Sequence, residues 1–266
     1  MARAKHPIVF SLTLFACLYA TAPAGVAAPA DPLNSVMWDQ LSERFFGTAQ
    51  VVFDEKVRVT VPSTIENQTQ VPVTADARAL EGVKKLIVFA DLNPIVHVLT
   101  FHPDKAQPVL SFRMKVEQGT PIRAAALTAD GIWHVGGVFA DAAGGGCTAP
   151  AAVRGLADWS DTVGQAQAKV WRGIDGTARV RLRVRHPMDT GLAEDNTPAF
   201  FIETLRLNDQ LGNSLASIEM FEPVSEDPTL TMHLRLPQSS IAVQVESRDN
   251  NGNIYKALVP AGSPGG

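Results

Sequence analysis

Beyond residue 50 the chain places apolar and polar residues in short alternating runs, the period-two pattern of strands with one buried face. Val57, Val59 and Val61 alternate with Arg58 and Thr60, residues 84–90 read as a central strand, and further strands are expected over 96–101 and 110–116. Turn signals at Asn93-Pro94, Pro103-Asp104 and Asp130-Gly131 separate these runs. The most regular alternation comes later, where Val180, Leu182 and Val184 interleave with Arg179, Arg181, Arg183 and Arg185. Leu230, Met232, Leu234 and Leu236 repeat it, as do Ile241, Val243 and Val245, and Asn250 to Asn253 predict a hairpin turn into a strand over 254–259. Helical spacing appears early, in Val36, Met37, Leu41 and Phe45, with Asn34 or Ser35 as cap and Gly47 as stop.

The alternation breaks at residues 142–152, Ala-Ala-Gly-Gly-Gly-Cys-Thr-Ala-Pro-Ala-Ala, which offer no strand a set of side chains to pack. The break divides the chain into a domain over 31–147, a linker over 148–177 and a domain over 178–263. A short helix is expected in the linker around Gly164 to Trp171. The expected fold is all-β: two immunoglobulin-like β-sandwich domains in tandem, with a short N-terminal helix.

Residues 1–30 carry a different pattern. Arg3 and Lys5 precede an apolar run from Ile8 to Ala20, too short to span a bilayer, and small residues follow to Ala28-Pro29-Ala30. This predicts a secretory signal peptide, a mature chain starting at Asp31, and a periplasmic protein. A lipobox at Leu14 to Cys17 fits less well, because Phe15 is unsuited and the apolar run continues past the cysteine. No later stretch is expected to span a membrane. Losing two basic and no acidic residues takes the formal charge from −4 to about −6. A mildly acidic exported chain gives no reason to expect nucleic-acid binding.

Export also leaves a single thiol, Cys147. The chain contains no Cys-x-x-Cys, no His-Glu-x-x-His, no P-loop and no glycine fingerprint opening a helix, so neither a cofactor nor a metal is expected. Gly144, Gly145 and Gly146 remove the side chains that would bury the loop. They should act as a hinge and let the sulfur reach solvent, presenting a thiol to a partner.

The residues around this loop resemble the two subunits of SoxYZ, the sulfur-oxidation carrier, fused in one chain. In the first half the resemblance lies in Pro62, Glu66-Asn67, Val71-Pro72-Val73, Asp91-Leu92-Asn93-Pro94, Ser111-Phe112-Arg113 and Gly145-Gly146-Cys147. In the second it lies in His186-Pro187-Met188-Asp189-Thr190-Gly191, Asp195, Pro198 to Ile202 and Ser225-Glu226-Asp227-Pro228. It implies a carrier acted on by partner enzymes rather than an enzyme. Cys147 would hold sulfur intermediates covalently, for periplasmic redox or sulfur-oxidising enzymes. The chain is also similar to fused carriers associated with a quinoprotein dehydrogenase. Where the family cysteine sits near a free C-terminus, here Thr148-Ala149-Pro150 follow it. A loop tethered at both ends from Asp141 to Pro150 reaches roughly 15–18 Å.

Other readings remain open at this stage. The chain could be an accessory binding module for a quinoprotein dehydrogenase or cytochrome system, carrying no covalent cargo. Metal delivery through His97, His102, His134, His186 and His233 requires tertiary convergence, and a Cys–His hydrolase would take His134 as its base. Arg179, Arg181, Arg183 and Arg185, with Arg235 if it lies beside them, could dock an acidic partner or anionic cargo. Glu66 to Thr69 should form a turn.

Overall fold

The computed structural model describes residues 30–262; all but the last residue of the predicted signal peptide lies outside them. The first half holds helix α1 (Trp38–Phe46) and eight strands: β1 (Val51–Phe53), β2 (Arg58–Thr60), β3 (Val71–Asp76), β4 (Lys85–Ala90), β5 (His97–His102), β6 (Ala106–Met114), β7 (Thr120–Leu127) and β8 (Trp133–Ala140). After a 3-10 turn (Ala152–Gly155) and the one-turn helix α2 (Trp159–Thr162) come seven more. These are β9 (Ala166–Arg172), β10 (Thr177–Val184), β11 (Ile202–Asp209), β12 (Ser214–Met220), β13 (Thr229–Arg235), β14 (Ala242–Asp249) and β15 (Ile254–Pro260).

The two halves are β-sandwiches that share their sheets. One sheet runs β1-β8-β7-β4-β5-β12-β11-β14-β15, the other β2-β3-β6-β13-β10-β9. The seam between halves is therefore backbone pairing: antiparallel β5–β12 sets Phe101 opposite Ile218, and β6–β13 sets Leu110 opposite Met232. One continuous core fills the space between the sheets, from Val71, Leu86 and Phe101 in the first half to Val180, Leu205 and Leu230 in the second.

The alternation locates the strands well, and the Asn250–Asn253 turn forms as expected, with the Asp249 carboxylate accepting backbone N–H groups of Asn251 and Asn253. Two expectations need correction. Gly164 to Trp171 is not helical: Ala166–Arg172 is an edge strand antiparallel to β10, so the second sandwich begins inside the segment read as linker. The helix starts at Trp38, with no side-chain cap, and it buries Trp38, Leu41 and Phe46 while Val36 stays exposed.

Helix α1 covers the outer face of the nine-stranded sheet over Ile87, Phe89, Ala125, Trp133 and Val135. Arg123, fully buried, ties this layer to the start of the described chain. Its guanidinium bonds the carboxylates of Asp31 (2.7 and 2.8 Å) and Asp91 (2.8 to 3.0 Å) and lies 4.7 Å from the Trp38 ring. A buried cation held by two carboxylates resists removal of either partner.

Because the seam is hydrogen-bonded sheet over a common core, the two halves should unfold together. Calorimetry is expected to show one transition with calorimetric and van't Hoff enthalpies in agreement. Phe101→Ala, which removes a fully buried ring at the seam, should cost about 3–5 kcal/mol and move the whole transition rather than split it.

Candidate functional site

The segment after β8 leaves the nine-stranded sheet and crosses the open end of the sandwich toward the six-stranded sheet. The N–H of Gly145 donates to the Glu117 carbonyl (3.1 Å) and that of Gly146 to the Val116 carbonyl (3.2 Å). Gly144 and Gly145 have φ of 118° and 82°, which glycine adopts without strain. At Gly146 the need is for space: a Cβ there would fall inside contact distance of the carbonyl oxygens of Gln68 and Val116. The three predicted hinge glycines are thus what lets the loop dock.

Docking overturns the expectation of an exposed sulfur, because Cys147 is 0% exposed. Glu117 accepts the backbone N–H groups of Cys147 (2.8 Å) and Thr148 (3.2 Å), and the Thr190 hydroxyl donates to the Cys147 carbonyl (2.6 Å). Glycines supply no bulk of their own, but they let the backbone close onto groups from both halves. Burial first, then the Glu117 carboxylate, push the thiol pKa up to about 12, with Lys115 pulling the other way. The docked sulfur is a neutral thiol at physiological pH and a poor nucleophile.

Lys115 is the second unusual group. Only 3% exposed, it donates from Nζ to the carbonyls of Met188 and Glu222 (the latter 3.5 Å) and, among the described residues, has no carboxylate at ion-pair distance. Burial lowers its pKa to about 8; the nearby acidic groups Asp189, Glu226 and Glu222 oppose the shift. In sequence Lys115 continues the parity of Ser111 and Arg113, the solvent-facing side of β6. The strand ends at Met114, and the second half covers the lysine. Asn93, buried in the Asp91 to Pro94 turn, holds both neighbours of the thiol: its Nδ2 donates to the Lys115 carbonyl (2.9 Å) and its Oδ1 accepts the Glu117 N–H (2.9 Å).

The second half meets the loop with its own motif. Met188 takes φ of 52°, uncommon for a side chain of its size, and turns its carbonyl toward Lys115. Asp189 receives Arg154 Nε (2.9 Å), and Glu226 accepts the Val153 N–H (3.1 Å), so the chain just after the cysteine is pinned too. Ser225 donates to the Thr69 carbonyl across the seam (2.7 Å). His186 is buried: its Nδ1 accepts the Met188 N–H (3.1 Å), and burial lowers its pKa to about 4 against the pull of Asp249.

Of the arginine row, Arg179, Arg181 and Arg183 project from the outer face of the six-stranded sheet. Arg183 pairs with Asp227, and Arg185 lies 3.7 Å from Asp158 and 3.8 Å from Asp227. Arg235 is opposite Thr177, toward the other end of the strand, and it lines a different cavity, with Lys105 and Asp175. His134 bonds Asp54 (2.8 Å), and the charged groups acting on Cys147 are Glu117 and Lys115. Among the described residues no three His, Cys, Asp or Glu side chains gather to hold a metal, and no helix is long and apolar enough to cross a membrane.

Two outcomes are expected. Thiol labelling by a disulfide reagent at pH 7 should be slow in the native protein. It should rise roughly 10- to 100-fold in Glu117→Ala, which removes charged hydrogen bonds of about 1.5–3 kcal/mol, and in Gly146→Ala, whose methyl group forces the loop off its seat. Separately, His97 and His186 both have pKa near 4, mainly through burial. The unfolded chain takes up these protons near 6.5 and the folded chain only near 4, so stability is lost as pH falls between those values. Denaturant titrations should show a loss of up to about 2–3 kcal/mol per pH unit there, roughly halved in His97→Gln.

In sequence, the chain matches the family model of the sulfur oxidation protein SoxY over residues 42–147 and that of the sulphur oxidation protein SoxZ over residues 168–259. Among solved structures, the sulfur carrier protein SoxY from Chlorobium limicola f thiosulfatophilum is 19% identical, with a TM-score of 0.36, over 40% of this chain and 91% of that one. A family 2 glycosyl hydrolase from Bacteroides cellulosilyticus is 12% identical, with a TM-score of 0.22, over 76% of this chain but 28% of its own length. A β-glycosidase from Bacteroides vulgatus is 11% identical, with a TM-score of 0.23, over 78% and 25%. No curated protein matches the sequence. The SoxY match ends on Cys147 itself and the SoxZ match begins within β9, so the chain belongs to the SoxY and SoxZ sulfur-oxidation family and carries both members in one polypeptide.

Proposed function

We propose that this chain is a periplasmic covalent carrier in which Cys147 holds a sulfur-containing intermediate for partner enzymes. One observation carries the reading: the family motifs of both halves, Asn93 and Gly145-Gly146-Cys147 from the first and His186 to Gly191 from the second, converge on one thiol at the seam. The family consists of carriers, and its SoxY member named above is a sulfur carrier.

In the docked position the thiol is protonated and enclosed, so loading follows release of the loop, with Glu117 and Thr190 giving up Cys147. Ala142 and Val153 are buried on either side, which leaves a tether reaching about 15–18 Å. Forming an S–S bond between the thiol and a sulfur anion removes two electrons and the thiol proton. The loading partner is therefore a redox enzyme that takes up the pair, and unloading is hydrolytic or reductive. Redocking would then hide the cargo from stray thiols.

The burial of Cys147 itself favours a second reading, an accessory module for a quinoprotein dehydrogenase or cytochrome system in which the thiol is only structural. Intact-mass measurement of protein isolated from periplasm separates the two. The carrier predicts sulfur-containing adducts that are lost on reduction and absent from Cys147→Ser. Unmodified native protein, with pathway activity and complex formation unchanged in Cys147→Ser, would establish the accessory module instead.

A further inference from the structure

The outer face of the six-stranded sheet holds an open groove of about 810 Å³ at the end where β3 begins and β6 and β10 finish. Its cations come from three strands and both halves: Arg113 on β6, Lys169 on β9, and Arg181 and Arg183 on β10. Lys169 lies opposite Arg181 in the ladder, with Thr231 on the other side. A smaller hollow of about 340 Å³ continues the groove past Arg179. There Arg179 stacks on Trp171 at 4.1 Å, with Lys169 over the same ring at 5.0 Å.

Three observations set this groove apart. Arg113, Lys169, Arg179 and Arg181 are all exposed and, among the described residues, none is paired with a carboxylate. The concentration of positive charge lies on a chain whose net charge is −4. The groove also adjoins the cysteine loop. Gln70, on its wall, is two residues from Gln68, whose carbonyl abuts Gly146, and Glu226, on its rim, holds the N–H of Val153.

We propose that this groove docks an acidic face of the partner enzyme that acts on Cys147, in the form of an extended segment with carboxylates at alternate positions. Alternate side chains on a strand stand about 6.6–6.8 Å apart, so Arg179 and Arg181, with Arg183 beyond them beside its partner Asp227, repeat at the spacing of alternate carboxylates on a second extended chain. A small oxyanion would engage only neighbouring cations such as Arg181 and Lys169, whereas an extended chain can span the row. A partner held there rests beside the loop, within the short radius of a doubly tethered thiol. The partner's role rests on the carrier reading; the groove's preference for an acidic polypeptide does not.

The probe is a fluorescein-labelled decapeptide of alternating Glu and Thr, titrated by anisotropy against the mature full chain. Binding should weaken at least about tenfold from 50 to 200 mM NaCl and at least about tenfold in Arg113→Glu/Arg181→Glu. It should stay within about twofold of native in Arg206→Glu/Lys256→Glu, which reverses charges on the other sheet, and in Cys147→Ser. Affinity unchanged in Arg113→Glu/Arg181→Glu overturns the proposal. So does displacement by about 10 mM sulfate or thiosulfate beyond a chloride control of equal ionic strength, which would make the groove a small-anion site. Peptide binding at the groove with no adduct on native Cys147 would leave the docking surface standing and remove the carrier reading. Adducts without peptide binding would do the reverse.

Discussion

Everything at the site depends on backbone pairing across the seam. A sandwich of this size exposes edge strands whose unpaired N–H and C=O groups invite association. Here β5 and β6, which would be edges of the first half, are capped by β12 and β13 of the second. Because the pairing occurs in both sheets at once, it fixes the halves in translation and rotation. The loops at the end of the sandwich then meet within hydrogen-bond distance: the Thr190 hydroxyl reaches a carbonyl from the other half at 2.6 Å, and the Met188 carbonyl meets Lys115. Two sandwiches joined only by a flexible linker would hold no such geometry.

The same seam accounts for the electrostatics. Lys115 and Cys147 are both removed from water by the junction, and burial moves their pKa values in opposite directions, down to about 8 and up to about 12. The outcome is a protonated thiol beside an ammonium whose hydrogen bonds go to carbonyls and whose charge is not matched by an adjacent carboxylate. A buried cation in that state is costly, and it is tolerated where Asp189, Glu222 and Glu226 supply a diffuse negative field. The pair makes the docked site chemically quiet. On the carrier reading, reactivity would belong to a position of the sulfur clear of both Glu117 and the seam.

Much of the fold was legible in the sequence, because strand alternation is a local property and β10 or β14 declares it within eight residues. What failed were features decided by distant chain. In Gly164 to Trp171 the apolar positions Ala166, Ala168 and Val170 do alternate with Gln167 and Lys169, but two of the three are alanines, which favour helix as readily as strand, and the edge strand is only partly covered; its place in the sheet is decided by pairing with β10. Cys147 was found by its uniqueness, and its burial was hidden because glycines carry no signal of what lies above them. Lys115 and Glu117 were invisible as site residues: they lie just past β6 and continue the parity of its solvent-facing side, and distant chain covers them, Lys115 through Met188 and Glu222 of the second half and Glu117 through Asn93 and the cysteine loop. Among the arginines, the row itself was evident, while Arg113 and Lys169 join it only through the β3–β6–β13–β10–β9 order of the sheet.

The glycines have two opposed effects, and their balance decides whether the loop can serve as a carrier arm. Docked, Gly144 and Gly145 supply backbone angles that other residues resist, and Gly146 fits against two carbonyl oxygens where no Cβ can go. Those features make the seat tight. The side-chain hydrogen bonds that help close it, two to the Glu117 carboxylate and one from Thr190, are together of order 3.5–7.5 kcal/mol. Against this stands the backbone entropy of ordering the loop, about 1–2 kcal/mol per residue and largest for glycine. Over three glycines alone that term is of the same order as the hydrogen bonds. A loop of bulkier residues could not close onto the seam, and one with as many hydrogen bonds but fewer glycines would close too firmly. On the carrier reading, the Gly-Gly-Gly-Cys sequence would place docking and release within a few kcal/mol of each other, the range in which binding of a partner at the rim can tip an equilibrium.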